Sequence, residues 1–598
     1  MRRLQSRLRA LVSLGLLATL YVLVALVLLH CNRDSASPSH MGGLDGGNDV
    51  GARTSDDGGG GTGGGGELDG GDGGITDGDA SADGTLVDAE VGPTTAERLL
   101  NDEGSYPRVL RAQSGDVVVS LVEQLGGGNK EASILRSSDD GATFSVVGHI
   151  DDPSFADGLC CATLYELPSA VGEYPAGTLL WAGSLGENLD AAPMSIAVWA
   201  STNEGTSWSK LPSAFVASVP RYSGSVSTGV WEPEFSLLDD GTLICHFSDE
   251  TASGHSQRLA AVSSSDLSAW SSAVATVALS DPNARPGMAN VRRGPAGRYF
   301  MSYELCGTDA CTVHMRTSTD GSDWGDPADA GFVPQTVDGK TLRHTPTLAW
   351  SPNPGENGRF YLLGQDVYDS AGQLAPENGS AVFVNTEGAE ANWYEIAAPV
   401  PVPSANNQAF CVNYSSSLLP LDESIGLEVA AYFDGATCYS YFARGALLGA
   451  GDTTGVAFGS QYRFVSVESG LCADVGGEDG GSATHAQQWP CDGLSTQRWV
   501  VEATTGGVRL RGVGDGTCLT ASSAGGNLVE GTPCDSGTGE VWMPEEVGLS
   551  YYVLAHGGGT CLADKGGSLD AGASLQQAAC NQLSPQIWRL EIQDAAAD

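Results

Sequence analysis

The sequence predicts an all-β chain: a six-bladed β-propeller followed by a smaller domain of three repeated units. Three observations carry this. Between residues 95 and 455, short alternating runs such as Val117–Val122, Thr178–Trp181, Thr242–Phe247, Tyr299–Tyr303 and Phe360–Leu363 are separated by Gly, Pro, Asp and Asn turns, with no long amphipathic helix pattern. A polar turn ending in an aromatic recurs through the same region, roughly 54–69 residues apart. A different repeat, of about 45 residues, opens three times near the C-terminus.

The N-terminus comes first in chain order. MRRLQSRLR holds four arginines and is followed by an apolar run from Ala10 to Leu29. A positive flank before an apolar segment is an export signal, and about 20 residues is also long enough to span a bilayer. Residues 1–31 are therefore read as a cleaved signal, a lipoprotein signal ending at Cys31, or a retained membrane anchor. Leu28-Leu29-His30-Cys31 resembles a bacterial lipobox, with His30 departing from the small residue usual there. Residues 32–92 are Gly-, Asp- and Ser-rich with almost no large apolar side chains, the composition of a flexible acidic linker. The bulk of the chain is expected outside the cytoplasm, secreted or at the cell surface. The 14 cysteines then read as disulfide material.

The charge excludes one class of partner. With 73 acidic against 29 basic residues, the formal net charge is -44. Binding nucleic acid needs a basic face, so no such partner is expected. No CxxC…CxxC or HExxH pattern is present, and neither a metal nor a cofactor is demanded.

The propeller is expected over residues 93–455. Its repeat reads SSDDGATF at Ser137–Phe144, STNEGTSW at Ser201–Trp208, SSSDLSAW at Ser263–Trp270, TSTDGSDW at Thr317–Trp324, and more weakly NTEGAEANW at Asn385–Trp393. In each, a polar loop can bond its own backbone while the aromatic plugs between strands. A β repeat of this length fits one four-stranded blade with its loops. Some 360 residues then suggest six blades, one without a recognisable turn. The repeat is similar to the Asp box, so the region resembles the sialidase-type β-propeller superfamily. In that superfamily the box is structural and says nothing about the reaction.

The chemistry concentrates in GVWEPEF, FSDE, ARPGM and MSYE, between Gly229 and Glu304. These place Glu232, Glu234, Asp249, Glu250, Glu304, Arg285, Trp231 and Tyr303 at or near strand ends. Glycosidic cleavage needs one carboxylic acid to protonate the leaving oxygen and a second carboxylate to support the oxocarbenium-like carbon. The WEP and YE motifs look most like the exo-α-L-arabinanase branch of the superfamily. The resemblance maps its two catalytic glutamates onto Glu232, read as nucleophile, and Glu304, read as acid/base. It implies a retaining enzyme acting on the ends of linear α-1,5-arabinan. Arg108, in SYPRVLRAQSGDVVVSL, looks like the inward arginine of the first blade, although the family's sialidases have Arg-Ile-Pro there. Tyr414, in VNYSSSLLPL, resembles a tyrosine presented by the last blade. Arg108, Trp231 and Arg285 are expected to bind substrate, with Asp249 a partner behind them. Two other readings stand beside this one. An exo-α-sialidase would use Tyr414 as nucleophile and Arg108, Arg285 and Arg343 for a sialic carboxylate. A non-catalytic adhesin would only bind glycans.

Cysteines 160, 161, 245, 306, 311, 411 and 438 leave one of seven unpaired. Cys306 with Cys311, and Cys411 with Cys438, are close enough to bridge. Cys160 and Cys161 are expected to bridge elsewhere.

Residues 458–595 carry the second repeat: GLCADV (470–475), GTCLTA (516–521) and GTCLAD (559–564), each with a later cysteine and a QxW or EVW close. This closely resembles the ricin-B-type β-trefoil lectin. The resemblance implies disulfides Cys472–Cys491, Cys518–Cys534 and Cys561–Cys580. It also implies a sugar site in the first unit, from Asp474, Gln487, Trp489 and Gln497. The second unit has Thr520 in place of the aspartate, and the third has Ala563 there with Asp564 one place late. The expected partners are a polysaccharide substrate and a carbohydrate ligand on the trefoil.

Overall fold

The computed structural model describes residues 96–593 except 100–102, 126–129, 224–225, 354, 403–409, 435–436, 448–455, 477–481, 523–526 and 536. The readings of residues 1–31 and 32–92 lie outside the described residues. Among the described residues the secondary structure is β-strands and five short 3₁₀ turns. None of it includes a helix long and apolar enough to cross a membrane.

Six antiparallel sheets form the propeller. Their inner strands are Gly104–Arg111, Leu159–Glu166, Val230–Leu237, Arg285–Arg293, Thr347–Ser351 and Ser417–Pro420. Each inner strand packs against the next, and the last against the first, so the ring is closed. The two ends of the propeller meet in one sheet: Glu97–Arg98 pairs with Cys438–Ala446 as the outer strand of the sixth blade. The fourth blade has a fifth strand, Asp366–Tyr368, contributed through Thr341–Arg343. Apolar clusters lie between blades, as where Trp181 and Trp199 meet at 5.3 Å between ring centroids against Phe155.

The recurring turns do the job their residues suit. The Ser137 and Ser201 hydroxyls accept from the Gly141 and Gly205 N–H at 2.8 and 2.9 Å, and Ser318 accepts from Gly321 at 2.9 Å. Ser264 accepts from Leu267, and Asn385 accepts from Ala389 with its side-chain oxygen. Each polar side chain thus closes its own loop, replacing water at backbone donors that would otherwise be left bare. Trp393 and Trp324 then drop into the core.

Twelve strands between Gln461 and Gln593 make the trefoil barrel. Trp499, Trp542 and Trp588 are fully buried, and their indole N–H groups donate to the carbonyls of Ala473, Leu519 and Leu562. This one hydrogen bond repeated three times satisfies each tryptophan's sole donor inside an apolar core. The three disulfides implied for this domain are formed.

The trefoil sits firmly on the fifth blade. Tyr394 and Ile396 share one apolar cluster with Val547, Tyr551, Val553 and Ile587. Leu549 N–H donates to the Glu395 carbonyl at 2.9 Å, and Arg589 pairs with Asp338 at 2.9 Å.

Candidate active site

Four of the inner strands carry a register shift near their start: between Ser105 and Arg108, Cys160 and Thr163, Trp231 and Glu234, and Gly287 and Asn290. Each shift holds a non-glycine residue in the left-handed region: Tyr106 (φ 57°), Cys161 (61°), Glu232 (59°) and Met288 (56°). Thr345 (46°) and Ser415 (57°) stand just before the inner strands of blades five and six. Six equivalent places around one ring thus share the same disfavoured backbone. Such conformations cost of order 1–3 kcal/mol each and cluster where side chains must be re-aimed.

Glu232 occupies one of these places. Its Oε2 accepts from the Ser248 hydroxyl at 2.6 Å and from the Met288 N–H at 2.9 Å. Its own N–H donates to Ser184 Oγ at 3.1 Å. Glu304 lies directly across the sheet from Gly287, the neighbour of Met288. A Cβ on Gly287 would stand 3.6 Å from Glu232 Oε2. Glu304 Oε2 accepts from the Thr345 N–H at 2.9 Å, and His344 Nδ1 is 3.5 Å away. Burial, and then the charge of Glu304, push the Glu232 carboxyl up to about 7, against the pull of its two hydrogen bonds.

Tyr414 faces the same pair. Burial raises its hydroxyl well above the ordinary value, and the charges of Glu232 and Glu304 raise it further. Its Oη stands 3.8 Å from Met288 Sδ. Tyr106, 6.1 Å from Tyr414 between ring centroids, is raised by burial and by the same two carboxylates, with Arg108 pulling the other way. Trp231 is half-buried beside them, with the Arg221 guanidinium 4.7 Å from its ring centroid.

The other expected residues have different occupations. Arg108 is buried, donating to the carbonyls of Pro107 and Ser415 at 2.8 and 3.2 Å, with its guanidinium over the Tyr106 ring. It braces the first blade against the last and supports Tyr106. Asp249 is fully buried on Arg258 (2.9 Å) and the Thr251 N–H and hydroxyl, so it holds a turn away from the glutamate pair. The neighbour that does face the site is Glu250. It accepts from Gly229 N–H at 2.8 Å and pairs with Arg285 at 2.5 Å. Arg285 also reaches Gln257, whose amide donates to Pro286. Glu234 is tied up by Arg292 at 2.5 Å and Thr163 at 2.9 Å.

Sequence reasoning missed Tyr106, Ser248, His344 and Thr345. Ser248 lies within FSDE beside the carboxylates that drew attention there, and the cross-strand register of its own blade sets it against Glu232. Tyr106, His344 and Thr345 sit outside the glutamate motifs, and blade closure brings them in. It also misjudged one pair of cysteines. Cys160 and Cys161 are bonded to each other, because the bulge at Cys161 turns both inward where no third cysteine reaches. Cys306–Cys311 and Cys411–Cys438 are formed, and Cys245 is the free, buried one.

In the trefoil's first unit, Asp474 and Gln487 are directly paired across two strands, and Trp489 stands half-buried opposite Cys472. Asp474 accepts from the Gly476 N–H and from Thr496 Oγ1 (3.2 Å), while Gln487 donates to the Gly476 carbonyl. Gln497 is the exception. It is fully buried, accepting from Asp492 N–H at 3.1 Å and donating to the Pro490 carbonyl at 2.8 Å. Gln586 makes the same two bonds, to Asn581 and Ala579. The glutamine of QxW is therefore a brace for the loop carrying the second cysteine, and its amide is not free for a sugar. In the third unit Asp564 turns inward onto Ser466.

Residues 460–588 match the family model of the ricin-type β-trefoil lectin domain. No curated protein sequence matches the chain. Among solved structures, the chain is similar to an α-L-arabinanase of Penicillium chrysogenum complexed with arabinobiose. Identity is 24%, covering 59% of this chain and 98% of that one, with a TM-score of 0.49. An α-L-arabinofuranosidase of Fusarium graminearum, also with arabinobiose, is 25% identical over 58% of this chain and 97% of its own, at 0.49. A ricin B-like lectin of Macrolepiota procera, in complex with lactose, is 19% identical over 23% of this chain and 99% of its own, at 0.21.

Proposed function

We propose that the chain is an exported, retaining glycoside hydrolase that works from polysaccharide chain ends in the manner of an exo-1,5-α-L-arabinanase, with the trefoil holding it on carbohydrate. The observation that carries this is the Glu232–Glu304 pair, facing across Gly287 at a bulged backbone inside a closed ring of strands. Retaining cleavage needs two carboxyl groups about 5–5.5 Å apart, sharing one proton between them. Burial of Glu232, and then the charge of Glu304 beside it, make two ionised carboxylates at once unfavourable there.

Glu232 is the nucleophile in this reading. Two donors hold one of its oxygens, leaving Oε1 to attack the anomeric carbon. Glu304 carries the proton to the leaving oxygen and then activates water. A proton on Glu304 removes the charge that, after burial, does most to lift Glu232, and so favours the ionised nucleophile. Tyr414, held protonated, donates a hydrogen bond and does not attack. The sialidase reading is weaker for that reason. Its three arginines also have other occupations, Arg343 lying 3.7 Å from the ring centroid of Tyr368.

The test is product analysis on linear α-1,5-arabinan and, in parallel, a sialyl-lactose. Short arabinose oligomers released by the wild type and absent with Glu304→Gln are expected. Free sialic acid in their place would overturn the reading, and glycan binding with no product from either would favour the adhesin.

A further inference from the structure

The Cys160–Cys161 bridge has no evident structural duty. A disulfide stabilises mainly by closing a loop in the unfolded chain, and the gain grows with the residues enclosed. A bond between neighbours encloses none. Cys411–Cys438, by contrast, spans 27 positions.

Its position is distinctive. Cys161 fills the place in the second blade that Glu232 fills in the third, and it shares a buried cluster with Tyr106 and Met288. Cys160 is half-buried and packs on the same cluster, beside Trp231 and Tyr414. Cys160 also pairs across the sheet with Ser184, the residue that accepts the Glu232 N–H. The disulfide is therefore a rigid, polarisable surface set against the glutamate pair. It offers no N–H or O–H to a sugar hydroxyl. Sulfur of this kind makes favourable contacts with apolar faces, and the ring closure removes the rotamer freedom two thiols would have.

Building on the glycosidase reading, we propose that the Cys160–Cys161 disulfide is the apolar floor of the sugar subsite beside Glu232, taking the C–H face of the ring whose glycosidic bond is cleaved. It selects sugars that present a face free of hydroxyls on that side.

The test uses the full chain, with Cys160→Ser/Cys161→Ser and Cys160→Ala/Cys161→Ala, on linear α-1,5-arabino-oligosaccharides. KM is expected to rise about tenfold in the serine pair and less in the alanine pair, which keeps an apolar surface. kcat and the thermal midpoint should change little. An unchanged KM, equal losses in the two variants, or a loss that follows the thermal midpoint overturns the proposal. If the wild type cleaves no arabino-oligosaccharide, the glycosidase reading has failed separately. Calorimetric binding of the same oligosaccharides then decides: weaker binding by the serine pair supports the floor, and equal binding overturns it.

Discussion

Glu232 and Glu304 differ in what holds them, and that difference is measurable. Replacing either by Gln should lower kcat by about 10²–10⁴-fold. Azide separates their roles. It should restore turnover in Glu304→Ala by attacking the glycosyl-enzyme, giving a glycosyl azide of retained configuration. In Glu232→Ala it would take the nucleophile's place and give the inverted azide. Product stereochemistry by NMR reads the assignment directly, and the opposite pattern would exchange the two roles. Activity should rise as pH rises toward about 7, where the Glu232 carboxyl, held up by burial and then by the charge of Glu304, ionises to the nucleophile. In Glu304→Gln the titration of Glu232 should move down, because the neighbouring charge is gone. Gly287 packs beside Glu232 and opposite Glu304 in the sheet. A Cβ there would lie 2.5 Å from Gln257 Nε2 and 3.4 Å from Ser248 Oγ, so Gly287→Ala should disturb the Glu232 hydrogen bond and cut kcat/KM while leaving the fold intact.

Among the elements, the sixth blade carries a testable charge. Glu428, on the strand Ile425–Phe433, is almost wholly buried and accepts from the Val400 N–H at 2.8 Å. Burial pushes its carboxyl up to about 8. A carboxyl raised on folding binds more protons folded than unfolded, so stability falls as pH rises from about 4 toward 8. Glu428→Gln removes that penalty. Its thermal midpoint should drop less between pH 5 and pH 8 than that of the wild type, and parallel curves would show that Glu428 is not ionising. In the trefoil, Trp489→Ala should abolish sugar binding by the first unit with the barrel intact. Gln497→Ala should instead lower the thermal midpoint, because it unties the Pro490–Asp492 loop.

Over the whole molecule, the two domains meet too closely to behave as beads on a string. A Cβ on Gly548 would lie 2.1 Å from the Glu395 carbonyl oxygen, and Thr386 and Ser584 hydroxyls bond at 2.6 Å across the same contact. In the proposed reading, a sugar held on the trefoil would stay at a fixed offset from Glu232 and Glu304, raising the local concentration of polymer without new catalytic contacts. Gly548→Val should force the contact apart. Calorimetry is expected to split one unfolding transition into two. Two transitions already present in the wild type would show that the domains were independent from the start, and a single unchanged transition in the variant would show that Gly548 does not carry the coupling.

Much of this was legible in the chain. Local periodicity marks strands because side chains alternate every two residues, and turns declare themselves because Ser, Asp and Gly bond or bend their own backbone. The repeats therefore told the blade count and the three-fold second domain, and WEP and YE marked Glu232 and Glu304, which stand on neighbouring blades with Glu304 opposite Gly287. What lies between repeats was not legible. That Asp249 pairs with Arg258 while Glu250, just past the end of the strand Leu243–Asp249, pairs with Arg285 follows from a register that only the sheet sets. Arg108 and Gln497 were expected to touch sugar. They are instead consumed by backbone carbonyls and N–H groups of segments brought close by folding, as a buried polar group must be. Tyr106, Thr345 and the Cys160–Cys161 bridge reach the site only because six strands close into a ring and bulge at one level. The sequence by itself determined the repeats and the strands, since these depend on neighbours along the chain. The tertiary structure alone decided which side chains surround the pair, because that depends on register and ring closure between residues as much as three hundred positions apart, such as Arg108 and Ser415.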